Sequence, residues 1–161
     1  MKRFWLCLTS LAVIAVAVFI YDSSSIVWVG HTDLEVEFHV VDADTGEPVE
    51  GATIAVRQDA GGFCEDTSAR EFELLTDGDG EAQHVSHSCM CFGTQSRLRF
   101  TDTYSVHLPW WHFRVSAGGH KPSTTQDLDV PEYIRKAKRA APGIARLVVQ
   151  VELAKDGGAA R

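Results

Sequence analysis

The sequence predicts an all-β sandwich of about seven short strands with one short helix, preceded by an N-terminal transmembrane helix. Three observations predict it. Residues 4–21 carry no charged side chain. From Leu34 onward, apolar residues recur at every second position. Glycine, proline and aspartate then interrupt the chain at short intervals, as turns between strands require.

The apolar run starts after Lys2 and Arg3 and ends before Asp22. Its 18 residues would span roughly 27 Å as a helix, close to the hydrocarbon thickness of a bilayer. Phe19, Ile20 and Tyr21 close the run where a signal peptidase would need small residues, so it reads as an uncleaved anchor. The positive N-terminal end predicts a single pass through the cytoplasmic membrane, with the N-terminus inside and the domain in the periplasm or outside the cell. The expected division is an anchor and tether over residues 1–30, a sandwich over 31–154 and a flexible tail over 155–161. Cys7 lies within the apolar run, Tyr21 and Trp28 suit the membrane interface, and residues 4–21 make the membrane a partner.

Leu34, Val36, Phe38 and Val40 alternate with Glu35, Glu37 and His39, which defines a strand with one buried face. After the Asp42–Pro48 turn, Ala52, Ile54 and Val56 mark a second strand that can pair with the first as a hairpin. Phe72 and Leu74 mark a third. Asp77-Gly78-Asp79-Gly80 is a turn before a fourth strand running from Glu81 towards His87. The two aspartates also suit a calcium ion, but turn chemistry accounts for them without one. Arg97–Phe100, Trp111–Ser116 and Arg146–Leu153 complete the set. A helix over Glu132–Ala141 is expected between Pro131 and the Pro142-Gly143 stop.

The 22 acidic residues outnumber the 15 basic ones, which excludes a nucleic-acid-binding role. The basic residues concentrate late. Arg135, Lys136, Lys138, Arg139 and Arg146 either form a solvated face or meet an acidic partner or anionic lipid headgroups.

Val41-Asp42-Ala43-Asp44-Thr45-Gly46-Glu47-Pro48-Val49-Glu50-Gly51-Ala52-Thr53-Ile54 resembles the opening of carboxypeptidase regulatory-like domains. Thr76-Asp77-Gly78-Asp79-Gly80 and Ser116-Ala117-Gly118-Gly119-His120-Lys121-Pro122 resemble two later turns of the same family, with His120 standing where an aromatic residue is usual. The resemblance implies a transthyretin-like, Ig-like sandwich serving as a non-catalytic accessory or adhesion module. Two enzyme groups share that general fold. Hydroxyisourate hydrolases end in Tyr-Arg-Gly-Ser, whereas this chain ends Gly-Gly-Ala-Ala-Arg. Intradiol dioxygenases bind iron through two tyrosines and two histidines, and Tyr104 with His107 does not complete that set.

Candidate chemistry concentrates in His84-Val85-Ser86-His87-Ser88-Cys89-Met90-Cys91 and in Cys64. On a regular strand His87, Cys89 and Cys91 share a face, and with Cys64 they offer thiolate and imidazole ligands for zinc or copper. The competing reading is a disulfide from Cys64 to Cys89 or Cys91 in an oxidising compartment. Trp111, Phe113 and Val115 are expected in the core, which turns Trp110, His112 and Arg114 outward as a candidate surface for a protein or carbohydrate ligand. The alternative buries Trp110 beneath the Thr101–Pro109 segment. No nucleophile, histidine and acid pattern stands out. The expected function is therefore a membrane-anchored, extracytoplasmic binding or structural module that is not an enzyme and needs no cofactor. The alternative is a Cys/His metal-binding or redox protein on the same sandwich.

Overall fold

The computed structural model describes residues 10–18, 25–96 and 102–156. It divides into two compact units, one formed by Met1–Val29 with Phe92–Tyr104 and the other by Gly30–Cys91 with Ser105–Arg161. Residues 10–18 form a helix, α1. In the first unit the Trp28 and Tyr104 rings lie 6.1 Å apart, and Thr94 and Thr103 share a hydroxyl hydrogen bond of 2.7 Å.

Among the described residues nine strands follow: β1 (Ser25–Asp42), β2 (Thr53–Gln58), β3 (Arg70–Leu75), β4 (Glu81–Ser96), β5 (Thr103–Val106), β6 (Trp111–Ser116), β7 (Gln126–Asp127), β8 (Lys138–Ala141) and β9 (Ile144–Leu153). Helix α2 (Pro131–Lys136) lies between β7 and β8. The strands form a five-stranded sheet, β5-β4-β1-β9-β8, and a four-stranded sheet, β3-β2-β6-β7. The architecture is thus mostly β, in two sheets with little helix.

The period-two rows become the core. Leu34, Val36, Phe38 and Val40 of β1 are fully buried, as are Ala145, Leu147 and Val149 of β9 and Ile54, Trp111, Phe113 and Val115 of the other sheet. Burying each large apolar side chain contributes about 1.5–3 kcal/mol. Phe38 and Phe113 meet edge to face at 5.2 Å across the two layers. The outward residues of β1 alternate with this row, so Glu35, Glu37 and His39 share the opposite face.

Three expectations change. The first two strands do not pair as a hairpin: β1 runs parallel to β9 from Asp33↔Ile144 to Asp42↔Leu153, while β2 pairs with β3 and β6. The 10-residue parallel register joins two apolar rows, and burying both rows favours this pairing. The expected helix over Glu132–Ala141 ends at Lys136, because Ala137 turns extended and Lys138–Ala141 pair antiparallel with β9. Strands β5, β7 and β8 raise the number above seven. No helix among the described residues is long and apolar enough to cross a membrane. The rest of the expected anchor and the expected strand Arg97–Phe100 lie outside the described residues. Within α1, Leu11, Val13, Ile14, Val16 and Val18 are 57–68% exposed.

Candidate functional site

A cavity of about 500 Å³ opens among β2, β3, β4 and the segment joining β2 to β3, lined by Gln58, Glu65, Asp66, Arg70, His84 and His87 among others. Its floor is fixed by Gln58, which is 3% exposed. The Gln58 amide donates to the carbonyls of Asp66 and Ser68 at 2.8 and 3.1 Å. Its oxygen accepts the Trp111 indole N–H at 2.9 Å, so Gln58 ties the joining segment to the core.

His84 stacks on Phe72 at 4.7 Å and 26° and meets the edge of Trp111 at 5.1 Å. Its Nε2 is buried without a hydrogen-bond partner. Burial, helped by the nearby Arg70 and His87, holds its pKa below the ordinary histidine value, which favours the neutral imidazole. Arg70 reaches over Phe72 with its guanidinium 5.1 Å from the ring centre and pairs with Asp66 at 2.7 Å. Two hydrogen bonds from Ser68 and this pairing hold Asp66 below the ordinary carboxylate range. The cavity therefore presents an imidazole that Phe72 and Trp111 hold from behind, beside an anchored ion pair.

Cys64 and Cys89 form a disulfide, and Cys91 is a buried free thiol. With Cys64 and Cys89 joined, the four-residue set of His87, Cys64, Cys89 and Cys91 does not offer three thiolates to one ion. His87 also leaves the cysteine face. Ser88 adopts φ +52°, and the inward parity of β4 shifts there: Cys89 and Cys91 are buried while His87 is exposed. Asp33 holds this bulge, accepting from the Ser88 backbone N–H at 3.0 Å and facing His87 Nδ1 at 3.3 Å. Sequence periodicity cannot register such a bulge.

His112 and Arg114 lie on the outer side of β6, and Trp110 immediately precedes it. Trp110 is 38% exposed and covers Gly61, where an added Cβ would come within 2.7 Å of the indole. His112 hydrogen-bonds Asp127 through Nδ1 and Asp59 through Nε2 at 2.9 Å. These two carboxylates raise its pKa. Arg114 donates to the Ser123 carbonyl at 3.2 Å. His112 and Arg114 border a shallow groove of about 310 Å³.

On the outer face of the five-stranded sheet, Glu37, His39 and Glu81 place one potential ligand atom each within 4.8 Å of the others. The period of two makes Glu37 and His39 same-face neighbours on one strand, but nothing in the sequence places Glu81 beside them.

The sequence matches no known protein family and no curated protein. Solved structures do resemble the fold. The 3-chlorocatechol 1,2-dioxygenase of Rhodococcus opacus 1CP superposes with a TM-score of 0.52 at 12% identity, over 78% of this chain and 60% of the enzyme. The catechol 1,2-dioxygenase of Pseudomonas arvilla C-1 gives 0.49 at 17%, over 80% and 54%. The chlorocatechol 1,2-dioxygenase of Pseudomonas putida gives 0.48 at 18%, over 78% and 61%. The chain thus spans little more than half of each dioxygenase.

These findings correct two expectations. The sandwich is shared with a dioxygenase, which overturns the reading as a non-catalytic module that is not an enzyme. The expectation of no cofactor gives way to the ligand cluster of Glu37, His39 and Glu81. The two-tyrosine, two-histidine iron set of intradiol dioxygenases is not found at the cavity among the described residues: none of the described tyrosines lines it, and the Tyr133 hydroxyl donates to Gln126 at 2.9 Å.

Proposed function

We propose that this chain is an enzyme-type domain that takes a small organic molecule bearing a hydroxyl or amine into the cavity beside His84, with His84 as the proton acceptor. The observation that carries the reading is the His84 imidazole, neutral at physiological pH, wedged between Phe72 and Trp111 with an unpaired Nε2. A buried polar atom without a partner costs about 1–3 kcal/mol, and a ligand hydroxyl or amine would recover that cost. A neutral imidazole is also the form that accepts a proton. The Arg70–Asp66 pair supplies a fixed polar edge. Support from the fold is limited to its being a scaffold on which a 3-chlorocatechol dioxygenase is built.

The transthyretin-like character and the carboxypeptidase regulatory-like resemblance belong to the same proposal, as the ancestry of the scaffold. The proposal also places the domain outside the cytoplasmic membrane, held by residues 4–21. The exposed apolar side chains of α1 support that placement.

Calorimetric titration of the full-length protein in detergent with catechol tests the reading. Saturable binding that disappears in His84→Phe, with folding retained, supports it. Binding that is absent, or indifferent to this substitution, contradicts it.

A further inference from the structure

We propose that Glu37, His39 and Glu81 form a site for one divalent first-row transition-metal ion, of which zinc is the probe, on the outer face of the five-stranded sheet. None of the three residues lines the cavity beside His84, so this site stands apart from the proposed reaction site.

The ligands are set by rigid backbone. β1 lies between β4 and β9 in its sheet, and Val36, Phe38 and Val40 beneath it are fully buried. With its inward row locked, Glu37 and His39 must stand side by side on the outer face. Glu81 is brought to them by Gly80. The Gly80 carbonyl accepts the Val40 N–H at 2.9 Å, which pins the start of β4 next to His39. That approach needs glycine: φ is +73°, and a Cβ would lie 2.6 Å from the Val40 carbonyl oxygen.

The donor atoms are close to metal-binding separations. His39 Nε2 lies 2.7 Å from Glu37 Oε1 and 3.6 Å from Glu81 Oε1. Ligand bonds of about 2.0–2.2 Å in tetrahedral geometry set donor atoms about 3.4 Å apart, so small side-chain rotations suffice. One imidazole nitrogen with two carboxylate oxygens suits zinc or ferrous iron better than calcium, and the set contains no thiolate that would select copper(I). Three protein ligands also leave a coordination position for water.

Charge points the same way. Glu35, Glu37 and Glu81 meet on this face, while Arg146 is committed to Glu35 Oε2 at 2.9 and 3.0 Å and only approaches Glu37, at 3.9 Å. Glu37 and Glu81 are left to share one imidazole, and like charges facing each other across neighbouring strands repel. A dication removes that repulsion.

The test is calorimetric titration of the full-length, chelator-treated protein in detergent with zinc chloride, with the bound metal counted after gel filtration. The expected result is one zinc per chain. Affinity should fall by more than about tenfold, the lower end of what even outer-shell changes cost, in both His39→Gln and Glu81→Gln. The variants His84→Phe and Cys91→Ser should bind as the parent does. His39 and Glu81 lie on the outer face of the sheet, so unchanged near-ultraviolet circular dichroism is expected in His39→Gln and Glu81→Gln. Absence of stoichiometric zinc overturns the proposal. So does zinc that survives both ligand substitutions or is lost with Cys91→Ser.

Discussion

His112 is held between the carboxylates of Asp59 and Asp127, one at each ring nitrogen, and thereby ties the segment after β2 to β7 across the outer face of β6. Both contacts favour the imidazolium and raise its pKa. A group whose pKa is higher folded than unfolded contributes stability that is fully present below the unfolded value, about 6.5, and is lost as pH rises through the folded value. Asp127→Asn should therefore lower the His112 pKa and flatten this part of the stability profile. Urea midpoints between pH 5 and 9 would read it, and an unchanged profile would contradict the clamp.

His84 should behave in the opposite sense. Its pKa is depressed, mainly by burial, so its contribution is present above the unfolded value and is lost as pH falls below it, when the unfolded chain takes up a proton that the native state resists. His84→Phe should remove that acid-side loss. A pH series of thermal midpoints checks this, and equal acid sensitivity in parent and variant would show that His84 is not the buried neutral group described.

The turn into β4 depends on Gly80. Gly80→Ala places a Cβ 2.6 Å from the Val40 carbonyl oxygen at φ +73°, and backbone strain of this kind costs of order 1–3 kcal/mol. The expected result is destabilisation by roughly that amount together with loosening of Glu81. Chemical denaturation measures the first. Gly78→Ala, where nothing lies within 4 Å of the added Cβ, is the control and should be near neutral.

The Cys64–Cys89 disulfide closes a loop with a sequence separation of 25 residues. Replacing both cysteines by serine should lower stability by roughly 3 kcal/mol in the chain-entropy account. Cys91 is buried and should react with thiol reagents in step with unfolding. Rapid labelling of Cys91 in the native protein would contradict its burial.

Much of the core was legible in the sequence because it is periodic. The rows Leu34 to Val40, Trp111 to Val115 and Leu147 to Leu153 each announce one buried face, and all three are buried. Long-range pairing was not legible. Nothing local in Phe38 or Val149 says that the two will be register partners in a parallel ladder. The Lys138–Ala141 strand was hidden by good helix formers, since pairing with β9 outweighs propensity there. The site was legible only as chemistry. His84 stood in the histidine- and cysteine-rich stretch, but its neutrality comes from Phe72 and Trp111, which lie on other strands. Cys89 and Cys91 were expected to share a face with His87, and the Ser88 bulge breaks that pattern.

The most direct test of the proposed reaction site is nitrogen-15 magnetic resonance of the histidine rings in the full-length protein, recorded near neutral pH with and without catechol. The account predicts that His84 is neutral, in a single tautomer, and that its ring nitrogens shift on adding catechol while those of His39 and His112 stay in place. A protonated His84, or a catechol response confined to other histidines, would contradict it.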